Sequence, residues 1–129
     1  MTDRRSILRG LAALSFAGAP VALVSTTIDP IFDAIERHRQ SDEAHRTAVL
    51  KGAHLIEIPA EIEAESGAAS DAEVMARHDM HEIVPTTMAG LMAYVVHWQE
   101  YTSKDRWNLE QVGWEAFPTI AEALRTIRT

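Results

Sequence analysis

The chain has 129 residues, 47% of them hydrophobic and 24% charged, with a formal net charge of −7 and no cysteine. That composition excludes disulfides, thiolate metal ligands and thiol nucleophiles. An acidic chain of this kind repels nucleic-acid phosphates and anionic lipid, so no nucleic-acid partner is expected and the membrane enters only through a leading segment.

That segment opens the chain. Arg4-Arg5-Ser6-Ile7-Leu8-Arg9 precedes a largely apolar run from Gly10 to Val24. The order, paired arginines followed by aliphatics and another base, resembles a twin-arginine export signal, a receptor-read address rather than an anchor. The run contains Gly18 and Pro20 and, at 15 residues, falls short of the ~20 needed to span a bilayer comfortably. Arg4 and Arg5 are the signal residues, the twin-arginine export machinery is the implied partner, and the periplasm is the expected destination. If the segment is instead an apolar helix on a cytoplasmic protein, that destination falls away. Residues 1–28 carry a net +2, which leaves residues 29–129 at −9, so the charge changes sign near Asp29. Residues 29–129 are therefore read as a single helical domain, with roughly 100 residues enough for one modest core.

Asp29-Pro30 reads as a helix start, an acidic capping residue followed by proline at the first helical position. Ile31, Ile35, His38, Asp42, His45, Val49, Ala53 and Ile56 then recur at three- and four-residue steps along one face of a long helix. Its middle is polar all round, as in a helix that stands partly in solvent or packs thinly. Pro59 breaks or restarts the helix, and Ser66-Gly67-Ala68-Ala69 reads as a turn. Ser70-Asp71-Ala72-Glu73 matches a capping box, predicting a second helix from Asp71 to about Val84.

Pro85 ends that helix, and Thr86 or Thr87 caps a third near Met88–Tyr101, with Leu91, Tyr94, Trp98 and Tyr101 in one apolar stripe. A short fourth helix fits Lys104–Gly113. A last one opens at Pro118, with Phe117, Ile120, Leu124 and Ile127 facing inward. No strand alternation is long enough for a sheet. The expected fold is all-α: a long antiparallel helical hairpin followed by shorter packing helices, with the signal helix separate. The core is expected in the last third, where all three tryptophans lie.

The runs Asp29-Pro30-Ile31-Phe32-Asp33-Ala34-Ile35-Glu36-Arg37-His38-Arg39 and Pro85-Thr86-Thr87-Met88-Ala89-Gly90-Leu91-Met92-Ala93-Tyr94 resemble those of a group of small alphaproteobacterial helical proteins. The closing Ile120-Ala121-Glu122-Ala123-Leu124 fits the same group, some of whose members begin with a similar signal. The resemblance implies a helical hairpin and a proteobacterial source. It carries no catalytic or binding residue with it.

Six histidines raise a metal hypothesis. His38, Asp42 and His45 share one helix face, and His78 and His81 share a face of the second helix. Imidazole and carboxylate from facing helices are how bundle interiors hold zinc or iron. With a hinge near residues 64–65, His81 falls opposite residue 48, about one turn from His45. The opposing reading makes these histidines half-exposed seam residues, since neither a Glu-x-x-His repeat nor His-Glu-x-x-His is present. Glu57, Glu61, Glu63 and Glu65 read as a solvated helix end rather than a calcium loop. No nucleophile elbow or phosphate-binding loop occurs. Two functions follow: a non-enzymatic interaction module that pairs with its own copy or a partner helix, or a histidine-based metal binder of the cell envelope. A variant related to the second lets His38 and His45, charging near pH 6, loosen the helix pairing or tighten it onto Asp42.

Overall fold

The computed structural model describes residues 28–104 and 109–127, with the backbone alone at 109–112. The signal-like segment, with Arg4 and Arg5, and Trp107 lie outside the described residues. Four helices run in order: α1 Ile31–Gly52, α2 Ala60–Glu82, α3 Met88–Lys104 and α4 Leu109–Ile127, with no strand among the described residues. No helix among them is long and apolar enough to cross a membrane.

α1 starts where the sequence places it, because the Asp29 carboxylate accepts the Ile31 N–H at 3.2 Å. It ends at Gly52, short of Ile56, and the Ala53–Pro59 connection turns the chain back so that α1 and α2 lie antiparallel. Lys51 pairs with Glu65 near that turn and His38 with Glu73 farther from it, which fixes the register.

The expected turn at Ser66–Ala69 is helix. α2 begins directly after Pro59 and passes through Gly67 without a break, so the hinge lies about eight residues earlier than the spacing predicts. The capping-box match at Ser70–Glu73 consequently falls mid-helix and caps nothing. Glu73 turns inward instead. The shifted hinge also removes His81 from the level of residue 48. It carries His81 to the far end of the hairpin, where it meets α4.

The core lies where the first half of α1, the end of α2, α3 and α4 converge. Ile31, Ala34, Ile35, Met80, Tyr94, Trp98, Tyr101 and Ala116 form it. The predicted α3 stripe is buried as expected. The C-terminal region differs from the reading of two helices: α4 is one helix with Pro118 inside it, where the ring sits on the exposed side and removes one backbone donor. Its inner face is made of Ala116, Thr119 and Ala123, with Ile120 partly buried. Phe117 and Leu124, expected inward, are exposed. Small side chains let α4 approach the core closely and push the large ones outward.

Candidate functional site: a buried imidazole network

Three helices contribute polar groups to a chain of hydrogen bonds at the centre of the molecule. His38 of α1 is fully buried. Its Nε2 lies 2.9 Å from Glu73 Oε1 on α2, and its Nδ1 lies 2.7 Å from His97 Nε2 on α3. The Tyr101 hydroxyl, one turn beyond His97, donates to the same Glu73 oxygen at 2.9 Å. Arg77, one turn beyond Glu73, approaches that oxygen to 3.6 Å.

This geometry limits where the protons sit. With Glu73 ionised, His38 Nε2–H donates to it. His38 Nδ1 then either accepts from His97 Nε2–H or, in the imidazolium form, donates to it. Burial raises the Glu73 pKa, but the hydrogen bonds from His38 and Tyr101 and the charge of Arg77 outweigh it and hold the carboxyl below its ordinary value. His97 is lowered to about 4 by burial, reinforced by charge on His38 and Arg39. Burial and the Glu73 carboxylate together raise the Tyr101 hydroxyl.

A third imidazole, His81, belongs to a separate network. His81 Nδ1 meets the Tyr94 hydroxyl at 2.7 Å, and the Thr119 hydroxyl donates to the His81 carbonyl at 2.7 Å. His81 Nε2 sits 3.0 Å from Glu115 Oε2, within ion-pair range but outside hydrogen-bond alignment. Burial lowers the His81 pKa against the opposing pull of Glu115. The His81 ring stacks on Trp98 with centroids 4.6 Å apart and planes 1° from parallel. On the first network's side, Trp98 has the His38 and Tyr101 rings at 5.6 Å each. One indole therefore separates the two polar networks and packs against both.

A third polar contact locks the start of α1 to the start of α3. Asp29 Oδ2 accepts hydrogen bonds from Thr86 N–H at 2.9 Å, Thr87 N–H at 2.8 Å and the Thr87 hydroxyl at 2.8 Å. Thr87 Oγ1 in turn accepts the Gly90 N–H, so one carboxylate serves the beginnings of two helices. Burial pushes the Asp29 pKa up, and these donors together hold it below its ordinary value. The approach is close: a Cβ on Gly90 would lie 2.1 Å from Asp29 Oδ2.

The five residues the sequence marks as metal ligands divide. His38 is central, and Asp42, one turn along and also buried, is held by Arg46 Nε at 3.0 and 3.1 Å. His45 is half-buried on the wall of a groove between α1 and α2. His78 is exposed and lies 4.0 Å from Glu82. His81 belongs to the α4 contact. The structure thus joins His38 to His97 and Glu73 and leaves His45, His78 and His81 in separate surroundings. Among the described residues, no three histidines or carboxylates are gathered so as to hold a metal.

Sequence reasoning missed His97, Glu73, Tyr101 and Arg77. A signal existed for each: His97 falls between Tyr94 and Tyr101 on the α3 stripe, and Glu73, Arg77 and Met80 share a face once α2 is extended back through Gly67. What the arrangement does chemically is hold three helices in register through charge-assisted bonds to Glu73 and a hydrogen bond between two imidazoles. Comparison with protein-family models, curated proteins and solved structures finds no match.

Proposed function

We propose that the chain is an exported helical interaction module, addressed to the periplasm by its twin-arginine-like segment and acting through helix faces rather than catalysis. The carrying observation is the outer side of α4. Trp114 is 83% exposed, Phe117 70% and Leu124 40%, three large apolar side chains at three- and seven-residue steps that the described residues leave open to solvent, the first two most fully. A partner helix or a second copy is the natural cover for such a stripe. The buried histidines support the reading from inside, because each is occupied with holding its neighbours.

Two measurements test it. Light scattering or sedimentation of the purified protein should give a mass above the monomer, or crosslinking in periplasmic extracts should capture a partner. A strict monomer at high concentration with no crosslinked partner rejects the module. A fusion of residues 1–28 to a reporter should lose export in the Arg4→Lys, Arg5→Lys double variant, and export that survives removes the proposed route.

A second reading, zinc or iron binding, draws on one observation: Glu73 orients His38 from the side opposite His97, the way a carboxylate orients a metal-ligating imidazole. Arg77 beside Glu73 and Arg46 on Asp42 weigh against it, since each neutralises an acid that a cation would need. Elemental analysis of untagged protein decides. Metal retained by the wild type and lost in both His38→Ala and His97→Ala would support the reading, and wild-type protein without metal would dismiss it.

A further inference from the structure

We propose that the tip of the α1–α2 hairpin is a docking surface for a basic amphipathic helix presented by a partner protein. The inference rests on the interaction-module reading and names the partner's chemistry at a different place from α4. Leu50, Leu55, Ile56 and Ile58 are all exposed within nine residues around the turn, and Ile56 is fully so. Turns are ordinarily polar, and an exposed aliphatic cluster at one is a binding signal. Glu57, Glu61 and Glu63 surround it, all exposed. The nearest cation, Lys51, is taken by Glu65, and no ion pair joins Glu57, Glu61 or Glu63 to another described residue.

Behind the tip, a groove of about 370 Å³ opens between the helices, with Ala48, Val49, Ile58 and Ile62 as its apolar lining and Glu63 among its polar residues. Glu61 and Glu63 also suit the positive end of α2, but that accounts for neither Glu57 nor the four aliphatics. Charge selects the occupant. Docked tip to tip, a second copy would bring carboxylates against carboxylates, and an anionic lipid surface is repelled in the same way. A helix with leucines on one face and lysines beside them fills the groove and neutralises the rim.

The test titrates the full chain with a fluorescent synthetic peptide carrying leucines at helical spacing and lysines between them. Three comparisons accompany it: the same leucines with glutamates, the same lysines with serines, and neutral phosphatidylcholine vesicles. The leucine–lysine peptide is expected to bind, more weakly as salt rises. The Ile56→Asp, Ile58→Asp double variant should weaken it by about tenfold or more. The Glu57→Lys, Glu61→Lys, Glu63→Lys triple variant should shift preference to the glutamate peptide. Because the altered side chains are exposed, melting curves should stay near wild type for the isoleucine variant, and the triple variant should melt somewhat lower, since it replaces Glu61 and Glu63 in the first turn of α2, with the helical signal confirming folding in both.

Unchanged affinity in both tip variants overturns the proposal, as does equal binding of the lysine–serine peptide. Vesicle binding that Ile56→Asp abolishes would reassign the tip to lipid and overturn it too. Binding lost on Trp114→Glu but kept in the tip variants overturns the tip assignment while sparing the interaction module. No peptide binding overturns the tip assignment, and a strictly monomeric protein that also yields no crosslinked partner ends the interaction module as well.

Discussion

His38 and His97, 59 residues apart in sequence, face each other across the α1–α3 contact with ring nitrogens 2.7 Å apart, and the other nitrogen of His38 rests on Glu73. Removing the middle member leaves a buried carboxylate and a buried imidazole without their shared partner. His38→Ala is therefore expected to destabilise the fold by about 3–5 kcal/mol, since it leaves a cavity and takes a donor from a buried carboxylate. Glu73→Gln, which keeps an acceptor for Tyr101 and His38, should cost only about 1–2 kcal/mol. Guanidinium denaturation at pH 7 measures both, and equal losses would mean that the charge of Glu73, beyond its role as an acceptor, holds the site.

The same network makes stability depend on pH in a definite direction. His97 is lowered from 6.5 to about 4, so the unfolded chain takes up this proton more readily than the folded one. Its contribution is complete above pH 6.5 and is lost as pH falls toward 4, a change of about 3 kcal/mol. His81, also lowered, adds to the loss below 6.5. Glu73 and Asp29 act later. Their contributions are present above ordinary values of 4.5 and 3.8 and disappear as pH drops through their lower folded values. Denaturation midpoints should decline from pH 7 to 5, with a shallower slope in His97→Asn. A flat profile for the wild type would contradict the assignment.

Two glycines should respond to alanine with opposite signs. Alanine normally gains up to about 1 kcal/mol over glycine within a helix. Gly67 in α2 has open space around the missing Cβ, so Gly67→Ala should raise the melting temperature. At Gly90 the new methyl would meet Asp29 Oδ2 at 2.1 Å and Ile31 Cγ2 at 2.8 Å. Gly90→Ala should therefore part α1 from α3 at the Asp29 contact and lose about 1–3 kcal/mol. Thermal melts of the two variants form a matched pair, and stabilisation at Gly90 would deny the Asp29 contact.

Much of the fold is legible in the sequence because prolines and capping side chains act locally. Pro30, Pro59 and Thr87 mark helix starts, and the α3 stripe is a plain 3.6-residue repeat. The misreadings share a cause. Ser66-Gly67-Ala68-Ala69 has the composition of a turn, but small side chains also suit close helix packing, and Ala69 and Ala72 line the α1–α2 groove opposite Ser41 and Ala44. Tertiary contact overrides the roughly 1 kcal/mol penalty of Gly67. Glu73 looked local because serine stands three residues before it, and its partners lie on other helices. On α4, ranking side chains by hydrophobicity favoured Phe117 and Leu124 over Ala116 and Ala123. Close approach depends on the small ones. Pairings such as His38 with His97 have no local signature at all.

The α4 stripe supplies a prediction that separates folding from association. In a self-contained chain, Trp114→Glu and Phe117→Glu would leave stability nearly unchanged or raise it slightly, since both side chains already stand in water. If the stripe is covered in an assembly, each substitution buries a carboxylate against apolar surface and should shift the protein toward monomer. The inner residue Ala123 provides the contrast. It is fully buried, and Ala123→Glu should unfold the chain whatever the oligomeric state. Sedimentation across a concentration series, paired with denaturation of each variant, distinguishes the cases. Loss of mass without loss of helicity in the Trp114 and Phe117 variants supports an assembly through α4. Wild-type mass equal to one chain at every concentration, with unchanged mass in both variants, shows that the stripe does not mediate self-association.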